Sequence, residues 1–252
     1  MSNGNEVLRL TDVASRRGRL QVLHGVSLTL RNELLAVFGL NASGKSTLLR
    51  TVSGLTPPVA GSIEFLGKEI AGTSAHRIAR LGMGFMPQDR QVFPSCTVMS
   101  NLEIAGQSVA RSRLDEERER VLAYFPQLQE RRNTRAVHLS GGERQMLALA
   151  MVLIRKPKVL LMDEPSAGLA PVAISAIYEV LERLREEGLP VLMAEQNVKR
   201  ALEIADRAAV LVLGRCVGII DAREADTVDR VKQLMMGKAL PPMSASQHPA
   251  TR

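Results

Sequence analysis

The chain holds no tryptophan, and aromatic residues make up only 3% of its 252 positions, too few to build stacked-ring platforms for nucleic-acid bases. It has two cysteines, Cys96 and Cys216, far apart and not at ligand spacing from any of the four histidines. A zinc site is therefore not expected, and a reducing compartment suits both thiols. No run reaches the roughly 18 to 20 uninterrupted apolar residues that a membrane-spanning helix needs. The nearest approach, residues 208–220, is broken by Arg215. The opening residues, 1–5, are polar and lead straight into a strand pattern, so a secretory leader is not expected and a cytosolic chain is. Lysine and arginine outnumber the acids by 33 to 26, a formal charge of +7, but they are scattered apart from Arg16-Arg17-Gly18-Arg19. That surplus reads as a hint of a membrane-surface location.

What is present is 45% hydrophobic content, enough for a sizeable core in one compact unit with an inserted lobe. Short β-like runs at 6–10 and 22–30, and another at 62–66 after a turn marked by Thr56-Pro57-Pro58 and Gly61, predict an antiparallel sheet. Residues 75–81 read as a short helix and 82–86 as a strand. From 88 to about 157 the apolar period becomes helical, with Val98 and Leu102, then Leu114, Val121, Leu122 and Phe125, where Pro126 is expected to stop the helix. The charge run 115–120 inside this stretch reads as a solvated helix face. Beyond it, strand and helix alternate: a strand at 159–162, a helix through Ala173, Ile177, Val180, Leu181 and Leu184, a strand at 191–194, a helix at 198–205, and a strand at 208–213. This alternation predicts an α/β core with a mostly parallel sheet. An amphipathic helix carrying Val228, Val231, Leu234 and Met235 ends near Gly237, and residues 238–252 read as a disordered tail.

Chemistry concentrates at Gly39-Leu40-Asn41-Ala42-Ser43-Gly44-Lys45-Ser46-Thr47, which fits G-x-x-x-x-G-K-[ST] between an apolar strand-like run and a helix-like one. A phosphate chain needs many positive dipoles close together with little side-chain bulk, and glycines at a helix N-terminus provide them. Lys45 is placed to meet the β and γ phosphates, and the Ser46 hydroxyl to ligate Mg²⁺. The apolar run 159–162 ends in Asp163-Glu164, as a buried strand delivering acids to its carboxyl edge would. Asp163 is the candidate for holding the metal and Glu164 for general base. Leu139-Ser140-Gly141-Gly142-Glu143-Arg144-Gln145 contains S-x-x-E ahead of a helical run, so a capping box accounts for Ser140 and Glu143. It leaves Gly141 and Gly142 unexplained, and close approach of an anion is the natural reason for them.

Together with Gln88, which follows a strand, and Pro165 after the acid pair, these motifs resemble the ATP-binding subunit of an ABC transporter, over about residues 6–237 read as a single ATPase domain with the helical insert at about 88–157. The resemblance implies a P-loop NTPase core with an N-terminal antiparallel β subdomain and an inserted helical subdomain. It also implies a head-to-tail dimer sandwiching two ATP molecules, each held by the phosphate loop of one subunit and the Ser140-Gly141-Gly142 of the other. Gln88 would touch Mg²⁺ and the attacking water, and the helical insert would meet transmembrane permease subunits, with a solute-binding protein as an indirect partner and no nucleic acid. The chain would then sit peripherally on the cytoplasmic face of the inner membrane. His76-Arg77-Ile78, Arg90-Gln91-Val92-Phe93-Pro94, Ser166-Ala167-Gly168-Leu169-Ala170-Pro171 and Glu195-Gln196-Asn197 resemble, more narrowly, the ATPases of branched-chain amino acid importers.

Several positions depart from the family pattern. Arg17 stands where an aromatic ring usually stacks on adenine, and a guanidinium plane can stack in its place. Gln196 replaces the histidine that often contacts the γ phosphate; it donates a hydrogen bond but carries no proton or charge to the reaction. Leu40 and Ala42 replace the commoner proline and glycine, and Asn32 stands where a Pro-Gly turn is usual; Ala42 is uncomfortable if its backbone needs positive φ. Two other readings stay open on sequence alone. One is a soluble ABC-type ATPase acting on nucleic acid or ribosomes, although the length allows neither two cassettes nor a long coiled-coil insertion. The other is a weakly hydrolysing regulatory subunit, for which Arg17, Ala42 and Gln196 speak.

Overall fold

The computed structural model describes residues 6–89 and 92–238. Residues 1–5, the first two positions of the stretch 90–94 and all but the first residue of the expected tail 238–252 lie outside the described residues. Along the chain, β1 (Glu6–Arg17) and β2 (Leu20–Arg31) form a hairpin, and β3 (Leu34–Phe38) leads into α1 (Lys45–Val52). β4 (Pro58–Phe65), β5 (Lys68–Glu69), α2 (Ala75–Leu81) and β6 (Met83–Met86) follow. Then come α3 (Val98–Ala105), α4 (Arg111–Leu122), α5 (Pro126–Glu130) and α6 (Gly141–Leu153). β7 (Val159–Asp163), α7 (Pro171–Glu186), β8 (Val191–Glu195), α8 (Val198–Leu202), β9 (Arg207–Val212), β10 (Arg215–Asp221) and α9 (Thr227–Met235) complete the order.

Two sheets result. One is antiparallel with the order β2-β1-β4-β5; the other has the order β10-β9-β3-β8-β7-β6 and is parallel except for the β10–β9 edge. The unbroken apolar strands of the second sheet are explained by burial on both faces. In β3, Leu34, Ala36 and Phe38 enter the core shared with α3 to α7, while Leu35 and Val37 enter the core shared with α1 and the antiparallel sheet. β7 and β8 divide their side chains in the same way, Leu160, Met162, Val191 and Met193 to one side and Val159, Leu161, Leu192 and Ala194 to the other. The mostly parallel core, the antiparallel sheet and the intervening helices agree with the predicted fold class.

Local boundaries differ from the sequence reading in instructive places. The runs at 6–10 and 22–30 extend into strands of 12 residues each, because a bulge at Asp12 (φ 48°) breaks the two-residue alternation of β1 without ending it. Gly61 marks no turn. It lies inside β4 at φ 85°, where a Cβ would come within 2.4 Å of the Asp12 carbonyl oxygen, so it accommodates the same bulge from the facing strand. Pro126 does not stop α4, which ends at Leu122; it opens α5 at the first helical position, where its missing N–H costs nothing. The helix at 198–205 stops at Leu202. The broken apolar run at 208–220 is a hairpin, turned at Leu213 and Gly214, both with positive φ, and its return strand β10 was not predicted.

Candidate functional site

The carboxyl ends of β3, β7 and β8 lie side by side, Phe38 paired with Glu195 and Asp163 with Ala194, so the loops that follow them open onto one place. The loop after β3 turns through Ala42 at φ 63° and Gly44 at φ 109° into α1. A Cβ on Gly39 would meet Ser43 Oγ at 2.3 Å and the Leu211 carbonyl at 2.4 Å, so only glycine fits there. Among the described residues, Ser43 Oγ is buried and has no hydrogen-bond partner. Helix α1 has a glycine N-cap, no side-chain cap and no acidic residue in its first turn. Its first N–H groups therefore have neither an intrahelical acceptor nor a capping one. Leu40, Asn41 and Ala42 are exposed on this rim, and Thr47 is half-buried.

Six side chains from four separate segments converge beside it. Lys45, 4% exposed, donates from Nζ to the Gly39 carbonyl (2.8 Å) and the Leu40 carbonyl (3.4 Å), and lies 3.5 Å from Glu164 Oε1. Ser46 Oγ donates to Asp163 Oδ1 at 3.1 Å. Glu164, at φ 48°, accepts one hydrogen bond from Gln88 Nε2 (3.0 Å) and one from Gln196 Nε2 (2.7 Å), while its own backbone N–H donates to Ala194 (2.9 Å). Burial pushes the Asp163 carboxyl above the usual carboxylate range; the Ser46 hydrogen bond opposes this and the neighbouring Glu164 charge adds to it. The folded chain thus holds the Asp163 proton more tightly than the unfolded one, and its contribution to stability falls as pH rises through the shifted value. A hydroxyl beside a carboxylate, at a buried place that disfavours bare negative charge, is a donor set that fits a hard divalent cation. The uncapped helix, the orphaned Ser43 hydroxyl and a buried lysine bonded only to carbonyls and one acid fit a polyphosphate anion.

The structure thus brings together the loop from Gly39 to Thr47, Gln88, Asp163, Glu164 and Gln196. Among the described residues, no side-chain hydrogen bond or ion pair joins Arg17, Ser140, Gly141 or Gly142 to them. Arg17 is exposed at the end of β1 and, among the described residues, bonds to none of these groups. Ser140 and Glu143 form the predicted capping box, Ser140 Oγ accepting from the Glu143 N–H (3.2 Å) and Glu143 Oε2 from the Ser140 N–H (2.7 Å). Gly142 has a reason inside the chain: a Cβ there would stand 2.4 Å from Cβ of Ala173 on α7. Behind it, Gln145 Nε2 donates to the Pro165 carbonyl (3.2 Å), linking α6 to the turn after Glu164. Sequence reasoning missed one residue that borders the site, Glu195, whose Oε2 accepts the Gln196 backbone N–H at 2.9 Å. The available signal was that β8, like β7, is an apolar run ending in an acid.

The family model described as ABC transporter matches residues 23–167. The high-affinity branched-chain amino acid transport ATP-binding protein BraG of Pseudomonas aeruginosa is 42% identical over 212 residues, 84% of this chain and 91% of that protein. The probable branched-chain amino acid transport ATP-binding protein LivF of Archaeoglobus fulgidus is 38% identical over 233 residues, 92% and 99% of the two chains. A solved nucleotide-free ATP-binding cassette from an ABC transporter superposes with a TM-score of 0.81 at 23% identity, over 90% of this chain and 95% of that one, a likeness of fold. The chain belongs to the ABC transporter family, and within it to the nucleotide-binding ATPases.

Proposed function

We propose that this chain is the ATP-hydrolysing subunit of an importer for branched-chain or related amino acids, residues 6–237 acting as one ATPase unit. The observation that carries the activity is the meeting of Lys45, Ser46, Asp163, Glu164, Gln88 and Gln196 beside an uncapped helix N-terminus. The solute class rests on the names of the two relatives above, and the residues that face the solute belong to other chains.

Within this reading the phosphate loop, Gly39 to Thr47, cradles the triphosphate, and Lys45 leaves its two carbonyls and Glu164 to meet the β and γ phosphates. Ser46 and Asp163 hold Mg²⁺, with Gln88 reaching the same ion. When bound, that ion neutralises charge on the phosphate oxygens. Glu164 serves as general base for the attacking water, its carboxylate aimed by two amide donors, Gln88 and Gln196. Gln196 orients and does not exchange a proton. Arg17 offers its guanidinium plane to the adenine.

Ser140, Gly141 and Gly142 lie outside the single-chain site because they serve the ATP of a second ATPase subunit, the same chain or a related one, in a head-to-tail dimer. Permease subunits dock on an open groove of about 430 Å³ lined by Arg50, Phe85, Asp89, Ala105, Met151 and Arg155. No helix among the described residues is long and apolar enough to cross a membrane. We place the chain peripherally, on the cytoplasmic face of the inner membrane. The test is reconstitution in vesicles with the membrane subunits that copurify. Magnesium-dependent ATP turnover accompanied by uptake of labelled leucine, isoleucine or valine is expected. Turnover without uptake of any of the three would overturn the solute class, and absence of turnover would overturn the activity.

A further inference from the structure

Glu195 is the most deeply buried carboxylate among the described acids, 1% exposed, and no chemistry above uses it. It stands at the end of β8, paired in register with Phe38 at the end of β3, one residue behind the phosphate loop. Its two oxygens serve two different loops. Oε1 accepts the backbone N–H of Ser166 at 3.0 Å, and Oε2 accepts the backbone N–H of Gln196 at 2.9 Å. The first holds the turn that leaves Glu164 through Pro165, and the second holds the residue whose side chain bonds Glu164 Oε1 at 2.7 Å.

A buried carboxylate is costly unless its oxygens are well bonded, and the cost is repaid here in geometry rather than stability. Around Glu195, the Tyr178 ring of α7 carries the Arg200 guanidinium of α8 5.7 Å from its centre. Burial, then the charge of Glu195, pushes the Tyr178 hydroxyl well above the ordinary tyrosine range, so it stays protonated beside the acid. Arg200 is engaged by Glu203 and by Ser175 Oγ, at 2.5 and 3.0 Å, and among the described residues no ion pair joins it to Glu195. Two backbone N–H groups donate to the carboxylate, and the Tyr178 hydroxyl stands beside it.

Resting on the proposed ATPase reading, we infer that Glu195 is a positioning residue for hydrolysis: one buried carboxylate that clips the turn after Glu164 to the turn carrying Gln196, and so sets the distance between Glu164 and its amide donor. It touches neither nucleotide nor metal. The chain of action runs from Glu195 through the Gln196 backbone and the Ser166 backbone to the Glu164 carboxylate.

The experiment is steady-state ATP turnover of Glu195→Gln, Gln196→Ala and the double variant in the assembled transporter, with ATP binding and thermal melting measured on the same preparations. Glu195→Gln keeps the size of the side chain but turns an NH₂ toward one of the two backbone donors. It is expected to lower kcat by about 10- to 100-fold, the cost of a small misplacement near the reacting groups, with KM for ATP within about threefold of wild type. Acting through Gln196, it should lose little more when Gln196→Ala is added. Should Glu195→Gln prove too unstable to purify, Glu195→Asp, which keeps the charge but reaches only one loop, is read in its place against the same expectations. A variant with wild-type kcat, one whose ATP affinity falls in step with kcat, or fully additive losses would each overturn the inference while leaving the ATPase reading intact. A wild-type protein without ATP turnover would remove both.

Discussion

The N-termini of α1 and α6 are assembled from similar parts, glycine beside a small hydroxyl residue ahead of an apolar helix, and they are finished in opposite ways. At α1 the cap is Gly44 in a left-handed conformation, without a side-chain acceptor and without an acid in the first turn. At α6 the cap is Ser140, closed by a reciprocal pair of hydrogen bonds with Glu143. The first end is therefore incomplete within the folded chain and calls for an anion from outside it. The second has two of its N–H groups capped from within the chain, and one side of its bare Gly142 backbone is already occupied by Ala173. A helix end that folds without a ligand can present its surface to a neighbouring molecule, whereas one that needs a ligand sits at the heart of its own site. The difference is the physical reason for the proposal that α1 serves the ATP of its own chain and α6 the ATP of another.

Substitutions sharpen that contrast in descending order of effect. Lys45→Ala removes the cation that completes the α1 site, and should lower turnover by about 10²- to 10³-fold and weaken ATP binding; filter binding and phosphate release will show whether both fall. Ser140→Ala strips α6 of its cap. It should cost about 1 kcal/mol of stability in chemical denaturation. If the same hydroxyl also reaches a second subunit's ATP, turnover should drop about tenfold as well, the worth of one good hydrogen bond; a stability loss with turnover unchanged would confine Ser140 to capping. Ala42→Gly is the mildest. Relief of left-handed strain of about 1 to 2 kcal/mol is set against about 0.4 to 1 kcal/mol of unfolded-chain entropy. Denaturation midpoints should move slightly upward or not at all, and a clear drop would show that the Ala42 methyl has a packing role.

How much of this was legible in the sequence follows from where each residue draws its meaning. β3, β7 and β8 could be read because burial on both faces leaves an unbroken apolar run, and Asp163-Glu164 because they end one. The phosphate loop could be read because its glycines answer to local backbone demands; Ala42, uncomfortable on sequence if its backbone needed positive φ, does take φ 63°. β1 could only be read in part, since the bulge at Asp12 erases the alternation on which strand detection depends. β10 is apolar, but it lies at a sheet edge with Val217 and Ile219 exposed, so no polar–apolar alternation marks it as a strand separate from β9. The reason for Gly142 lay 31 positions away in Ala173, and the clip at Glu195 needs Ser166 and Gln196 beside it before its carboxylate means anything. Spacing reveals what neighbours in sequence accomplish together; it is silent on what distant segments do to one another.

The central claim is that ATP held at α1 of one subunit is completed by α6 of another. Sedimentation of Glu164→Gln tests it most directly, since that variant keeps the binding groups but removes the proposed base. With magnesium and ATP it should sediment as a dimer, and revert to monomer with ADP or when Ser140→Ala is combined with it. A Glu164→Gln protein that binds ATP at full occupancy and stays monomeric at every protein concentration, with its membrane partners present, would contradict the account.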